Sequence, residues 1–173
     1  MISRRTFIQG LAAVAVLCQY TKAFGSVSSE RTLSLYNVHT DESLDVTYFS
    51  DGSYDYEALG KINQLMRCHY ADEVKPINTG VLDLLCDIKD RLHEDRRIEI
   101  ISGYRSAAYN EYLRARSRKV ARDSYHVQGL AIDFSVSGMS KNTLSGIAKS
   151  FYAGGVGKYR EFVHIDVGPV RYW

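Results

Sequence analysis

Hydrophobic and polar positions alternate along Arg31 to Val38 and again along Ser43 to Phe49, with His39-Thr40-Asp41-Glu42 between them. Period-two alternation on both sides of a short polar segment predicts a β-hairpin, with His39 in its turn. The period then changes. Leu59, Ile62, Leu65 and Met66 recur at helical spacing within Tyr54 to Tyr70. Val81, Leu82, Leu85, Ile88 and Leu92 mark one face of a second helix over Thr79 to Leu92. Pro76 separates the two helices, and Asn78 or Thr79 is the N-cap of the second. His69 and His93 fall near the predicted helix C-termini, where the helix dipole favours a cation, and both read as structural. Arg97 to Ile101 returns to strand character and exits through Ser102-Gly103-Tyr104-Arg105-Ser106. Glycine permits a sharp turn there, and Ser106 can cap a helix over Ala107 to Ala115.

The basic connection Arg114 to Arg122 leads into Ser124 to Phe134, where His126 precedes a glycine turn at Gly129 and an apolar, strand-like run. A helix from Asn142 to Tyr152, the glycine-rich stretch Ala153 to Tyr159 and a strand from Phe162 to Val167 complete the chain. Gly157-Lys158 is followed by tyrosine and lacks the preceding glycine spacing, which excludes a nucleotide phosphate loop. The pattern predicts one α+β domain over residues 27–173, with a small antiparallel sheet and helices packed mainly on one of its sides.

Residues 1–26 stand apart. Ser3-Arg4-Arg5-Thr6-Phe7-Ile8 is a basic start, and Leu11 to Leu17 is an apolar run too short to span a bilayer. The arginine pair followed by Thr6 and Phe7 resembles a bacterial twin-arginine export signal, with cleavage expected after Ala23 or near Ser26. Cys18 follows Leu17, where a lipoprotein signal carries a small residue, so a lipid anchor is the weaker reading. The leader also changes the charge. It carries Arg4, Arg5 and Lys22 up to position 23 and no acid, so removing it lowers the basic residues by three, from 22 to 19, against 20 acidic ones. A near-neutral mature chain offers no nucleic-acid footprint and has no transmembrane helix. Cys68 and Cys86 remain, either as a disulfide of an oxidising compartment or as two buried thiols. The 13 tyrosines suit a groove or half-buried strands equally.

Candidate chemistry lies in two strand-like runs. In the last strand, alternation puts Phe162, His164 and Asp166 on one face and Val163, Ile165 and Val167 on the other. Between Leu130 and Phe134, Ala131 and Asp133 share the polar face. If the two strands are neighbours, Asp133 meets His164, and the turn supplies His126. Two imidazoles and one carboxylate suit zinc with one coordination position open, the catalytic rather than the structural arrangement. Zinc brings the pKa of bound water towards about 7, and a carboxylate must then carry the proton. Glu161 and Asp166 flank His164 and are the candidates, although Asp166 can instead orient a ligand histidine. Arg105, at a strand exit, suits the stabilisation of a developing oxyanion or the grip of a substrate carboxylate. Satisfied polar residues would produce the same His-x6-Asp spacing.

Ser124-x-His126-x-x-Gly129-x-Ala131-x-Asp133 resembles the signature of the zinc peptidases that include D-Ala-D-Ala carboxypeptidases, VanX-type dipeptidases and hedgehog-like folds. Asn37 to Thr40, Ser102 to Ser106, Arg118 to Asp133 and Gly155 through His164 to Trp173 are similar to the MepK-like murein endopeptidase branch. The similarity covers essentially the whole mature chain. It implies zinc (Zn2+) held by His126, Asp133 and His164, and peptidoglycan stem peptides, most of all their crosslinks, as substrate in the periplasm. On the same basis Arg105, Ser124 and Tyr104 are expected to contact substrate, and Glu161-Phe162-Val163-His164 fits the Glu-x-x-His pattern of the dipeptidases.

Overall fold

The computed structural model describes residues 30–92, 96–118 and 120–173. The expected leader, Cys18 and His93 lie outside them. The predicted hairpin forms from β1 (Arg31–Asn37) and β2 (Glu42–Ser50), paired antiparallel with Asn37 opposite Glu42. A short β3 (Ser53–Tyr54) folds back on β2.

Helix α1 spans Tyr56–Leu65, capped by the Asp55 carboxylate, which accepts the amides of Glu57 and Ala58. It is shorter than its apolar spacing predicts, and Tyr54 belongs to β3. The carbonyls of Leu65 and Met66, which a longer helix would offer to His69 and Tyr70, accept instead from Asn37 Nδ2 (2.7 Å) and the Tyr104 amide (2.8 Å). Tertiary donors thus end the helix. His69 consequently sits at no helix terminus. It stacks on His39 with ring centroids 3.9 Å apart. Burial, followed by the charges of His39 and Arg105, lowers its pKa, the reverse of the expected dipole effect.

The three remaining helices follow their sequence signals closely. Helix α2 (Thr79–Arg91) is capped by Asn78, α3 (Ala107–Arg114) by Ser106 and α4 (Lys141–Ser150) by Ser140. Strands β4 (Ile98–Ser102), β5 (Ala131–Val136), β6 (Gly155–Lys158), β7 (Val163–Asp166) and β8 (Arg171–Tyr172) complete the chain.

The α+β class holds, but the sheet is larger than expected. Among the described residues it has eight strands in the order β3-β2-β1-β4-β5-β7-β6-β8, and two of their pairings, β1 with β4 and β6 with β8, are parallel. Its apolar face carries Leu33, Leu35, Ile98, Ile100, Ile132, Phe134, Val163 and Ile165, all buried in one core with residues of α1, α2 and α4. Each such side chain contributes roughly 1.5–3 kcal/mol by leaving water. The opposite face of β5 and β7 presents Asp133, Ser135, His164 and Asp166. With the core held by one face, the other is free to be polar. Cys68 and Cys86 are both buried free thiols. Among the described residues no helix is long and apolar enough to cross a membrane.

Candidate metal centre and its cavity

Asp133 and His164 are direct cross-strand partners on β5 and β7. Register alone therefore places a carboxylate against an imidazole. His126 arrives from a 3₁₀ turn over Tyr125–Gln128 that ends at Gly129 in the left-handed region (φ 71°). A side chain at Gly129 would also put its Cβ 2.3 Å from the Pro76 carbonyl oxygen, so both conformation and space require glycine. The turn is strapped to the exit of β4, because the Arg105 amide donates to the His126 carbonyl at 3.2 Å.

The three side chains converge. His164 Nδ1 lies 2.7 Å from Asp133 Oδ1, and His126 Nε2 lies 3.2 Å from both the same oxygen and His164 Nδ1. All three residues are buried. The outer nitrogens of both rings face groups that only accept: His126 Nδ1 the Gly103 carbonyl at 2.8 Å, and His164 Nε2 the Asp166 carboxylate at 3.0 Å. Those nitrogens must donate, which turns the lone pairs of His126 Nε2 and His164 Nδ1 inward, beside a carboxylate oxygen. Three acceptors with no donor between them repel one another unless a cation lies among them. The donor set of two imidazole nitrogens and one carboxylate oxygen fits zinc.

Electrostatics repeat this demand. Burial opposes a charge on His164, yet Asp133 and Asp166 outweigh it and push its pKa up to about 9. Burial likewise opposes ionisation of Asp133, and His126 and His164 outweigh it, holding the carboxyl below its ordinary range. A proton on His164 takes the place of the cation.

Asp166, fully buried, accepts from His164 Nε2, the amides of Gly155 (3.1 Å) and Gly168 (2.8 Å), and both Arg171 terminal nitrogens (3.1 and 2.7 Å). Burial opposes its charge, but these donors hold its pKa low. With both oxygens engaged, Asp166 is placed to orient His164.

The three side chains open onto a cavity of about 510 Å³ whose lining includes Arg105, Asp123, Ser124, Tyr159, Phe162, Arg171 and Trp173. Arg105 stands 3.5 Å from Asp133 Oδ2 and donates to Ser102 Oγ at 3.3 Å and Asn110 Oδ1 at 3.4 Å. Its Nε is buried and has no partner among the described residues, so the guanidinium keeps donor capacity beside the ligands. Ser124, expected to touch substrate, is on the cavity wall. Tyr104 is not: its hydroxyl donates to Glu73 at 3.3 Å. Glu161 also lies outside the lining, with a side chain 76% exposed and paired with Arg160 at 3.0 Å. Arg171, Trp173 and the Gly103 carbonyl have roles that no periodicity announces.

A family model described as Peptidoglycan L,D-endopeptidase MepK matches residues 25–173. The chain is 40% identical over 174 residues to the Peptidoglycan L,D-endopeptidase MepK of Escherichia coli (strain K12), covering 98% of this chain and 96% of that protein. It is 34% identical over 163 residues to the Probable peptidoglycan L,D-endopeptidase MepK of Haemophilus influenzae, covering 92% and 88%. No solved structure gives a significant match. Along nearly its whole length the chain belongs to the peptidoglycan L,D-endopeptidase MepK family.

Proposed function

We propose that this chain is a zinc-dependent peptidoglycan peptidase that hydrolyses the peptide crosslinks between stem peptides in the periplasm, after export through its twin-arginine leader. The observation that carries the reading is the convergence of His126 Nε2, His164 Nδ1 and Asp133 Oδ1 as three inward acceptors, in a chain whose family is described as a peptidoglycan endopeptidase. Zinc held there supplies Lewis acidity, polarising a carbonyl and making water a competent nucleophile near neutral pH.

The protein's own groups do the rest. Asp166 and the Gly103 carbonyl hold the two imidazoles in the tautomers that ligation needs. Arg105, a cationic fork beside Asp133 on the cavity wall, stabilises negative charge developing on the carbonyl oxygen. Ser124 on the wall holds the peptide in place. Glu161, in the turn before β7, is the carboxylate assigned to carry the proton, a role that Glu161→Gln tests directly.

Digestion of purified sacculi tests the reading. Loss of dimeric muropeptides, abolished by chelator and restored by zinc, is the expected result. Release of terminal D-Ala alone would make the chain a carboxypeptidase. Undiminished hydrolysis by a folded, zinc-free His126→Ala variant would remove the metalloenzyme, and binding without hydrolysis would leave a wall-binding protein.

A further inference from the structure

Trp173 is 47% exposed, yet it is held from several sides. Its amide donates to the Val156 carbonyl at 3.2 Å, and its carbonyl accepts from the Lys158 amide at 2.9 Å. Its indole Nε1 donates to the Tyr159 hydroxyl at 3.0 Å, and the Arg171 guanidinium lies 5.1 Å from the ring centroid. The ring rests on Gly157. A Cβ at that position would lie 2.6 Å from Trp173 Cε2 and 2.7 Å from Nε1, so the absence of a side chain is what seats the indole. Gly157 pairs directly with His164 across β6 and β7, which brings the indole to 5.4 Å from the His164 ring. Next to it, Tyr159 and Phe162 stack at 4.5 Å, and all three aromatic residues line the cavity.

An aromatic face that is both open and immobile costs little conformational entropy when a ligand covers it. The exposure that remains leaves part of the indole accessible to a ligand in the cavity. We propose that Trp173, positioned by Gly157, is a specificity-determining residue whose open indole face receives the aliphatic segment of the stem-peptide residue beside the scissile bond. The inference rests on the peptidoglycan reading and assigns that site a wall. Trp173, Phe162 and Tyr159, with Val120 and Ala121, supply the apolar part of the cavity lining, against which methylene groups can lose water.

Trp173 is the single tryptophan of the chain, so fluorescence excited selectively at the indole reports on this residue alone. The metal-free protein is titrated with purified dimeric muropeptide, with calorimetry as an independent measure of binding. The expected result is a saturable blue shift in emission and, for the folded Gly157→Ala variant, a dissociation constant weaker by roughly tenfold. In the zinc-loaded enzyme, Gly157→Ala raises KM by a similar factor while kcat and zinc affinity stay within about threefold, a split that a purely structural role would not produce. Trp173→Phe, which keeps a flat ring, retains more of the affinity than Trp173→Ala, and Gly157→Ala has no added effect in the Trp173→Ala background. Calorimetric binding with unmoved emission and an unchanged KM in Gly157→Ala would overturn the assignment while leaving the peptidoglycan reading intact. A wild-type protein that neither binds nor cleaves the muropeptide would remove both.

Discussion

Replacing Asp166 by asparagine exchanges a buried charge for a neutral group of the same shape. Asp166 Oδ1 accepts from Gly155, Gly168 and Arg171, whereas Oδ2 accepts from His164 Nε2 and Arg171. An asparagine satisfies most donors by placing its oxygen at the Oδ1 position, which turns its NH2 group towards His164 and Arg171. His164 can meet that donor only by moving its proton to Nδ1, the atom that faces Asp133 and His126. The imidazole then presents a hydrogen where ligation requires a lone pair. Loss of an orienting partner of this kind lowers metal affinity by about 10–100-fold. Two charge-assisted hydrogen bonds are lost as well. The one to buried His164 is worth about 1.5–3 kcal/mol and the one to Arg171, whose side chain is 39% exposed, less than that, giving a stability loss of about 2–4 kcal/mol. Zinc affinity is measured by competition with a chromophoric chelator, and stability by urea unfolding in excess chelator, where no metal contributes. Zinc affinity within about threefold of wild type, in a variant destabilised as expected, would refute the claim that Asp166 sets the tautomer.

The metal-free site also makes stability depend on pH. With His164 raised from 6.5 to about 9, its proton stabilises the fold fully below about pH 6.5, and that contribution is lost as pH rises through about 9. Asp133 and Asp166 are depressed below 3.8, so their contribution is present above about pH 4 and is lost on further acidification. In chelator the denaturation midpoint should therefore fall between pH 6.5 and 9, while zinc, which displaces the proton, binds more tightly over the same range; a midpoint that rises there contradicts the assignment. Gly129→Ala meets both a left-handed backbone and the Pro76 carbonyl, and should cost at least about 2 kcal/mol in urea unfolding, whereas a loss under about 0.5 kcal/mol would show that the turn can relax. Glu161→Gln tests proton transfer: a fall in kcat of about 100-fold or more supports Glu161, and an unchanged kcat removes it.

Much of the site was legible before any fold was known. Alternation placed His164 with Asp166, and Asp133 with Ala131, opposite their apolar neighbours, because an apolar face on a strand leaves only the other face for ionisable groups. The capping residues Asn78 and Ser106 were equally visible, since a helix start satisfies its amides within a few residues of sequence. The glycine-rich run over Ala153 to Tyr159 was less transparent. It forms β6, yet Gly155 and Gly157 are there to admit Asp166, Arg171 and Trp173, not to favour a strand.

The sequence by itself determined which side chains could act together, because local periodicity states which residues share a face. Tertiary structure decided which faces met. The adjacency of β5 and β7 turned a possible pair into Asp133 against His164, and the strap from β4 delivered the Gly103 carbonyl to His126. Asn37 and Tyr104 ended α1 early, and the return of β8 brought Arg171 to Asp166 and Trp173 over Gly157. Each of these depends on hydrogen bonds or contacts between residues distant along the chain, and no local pattern of hydrophobic and polar positions encodes such partners.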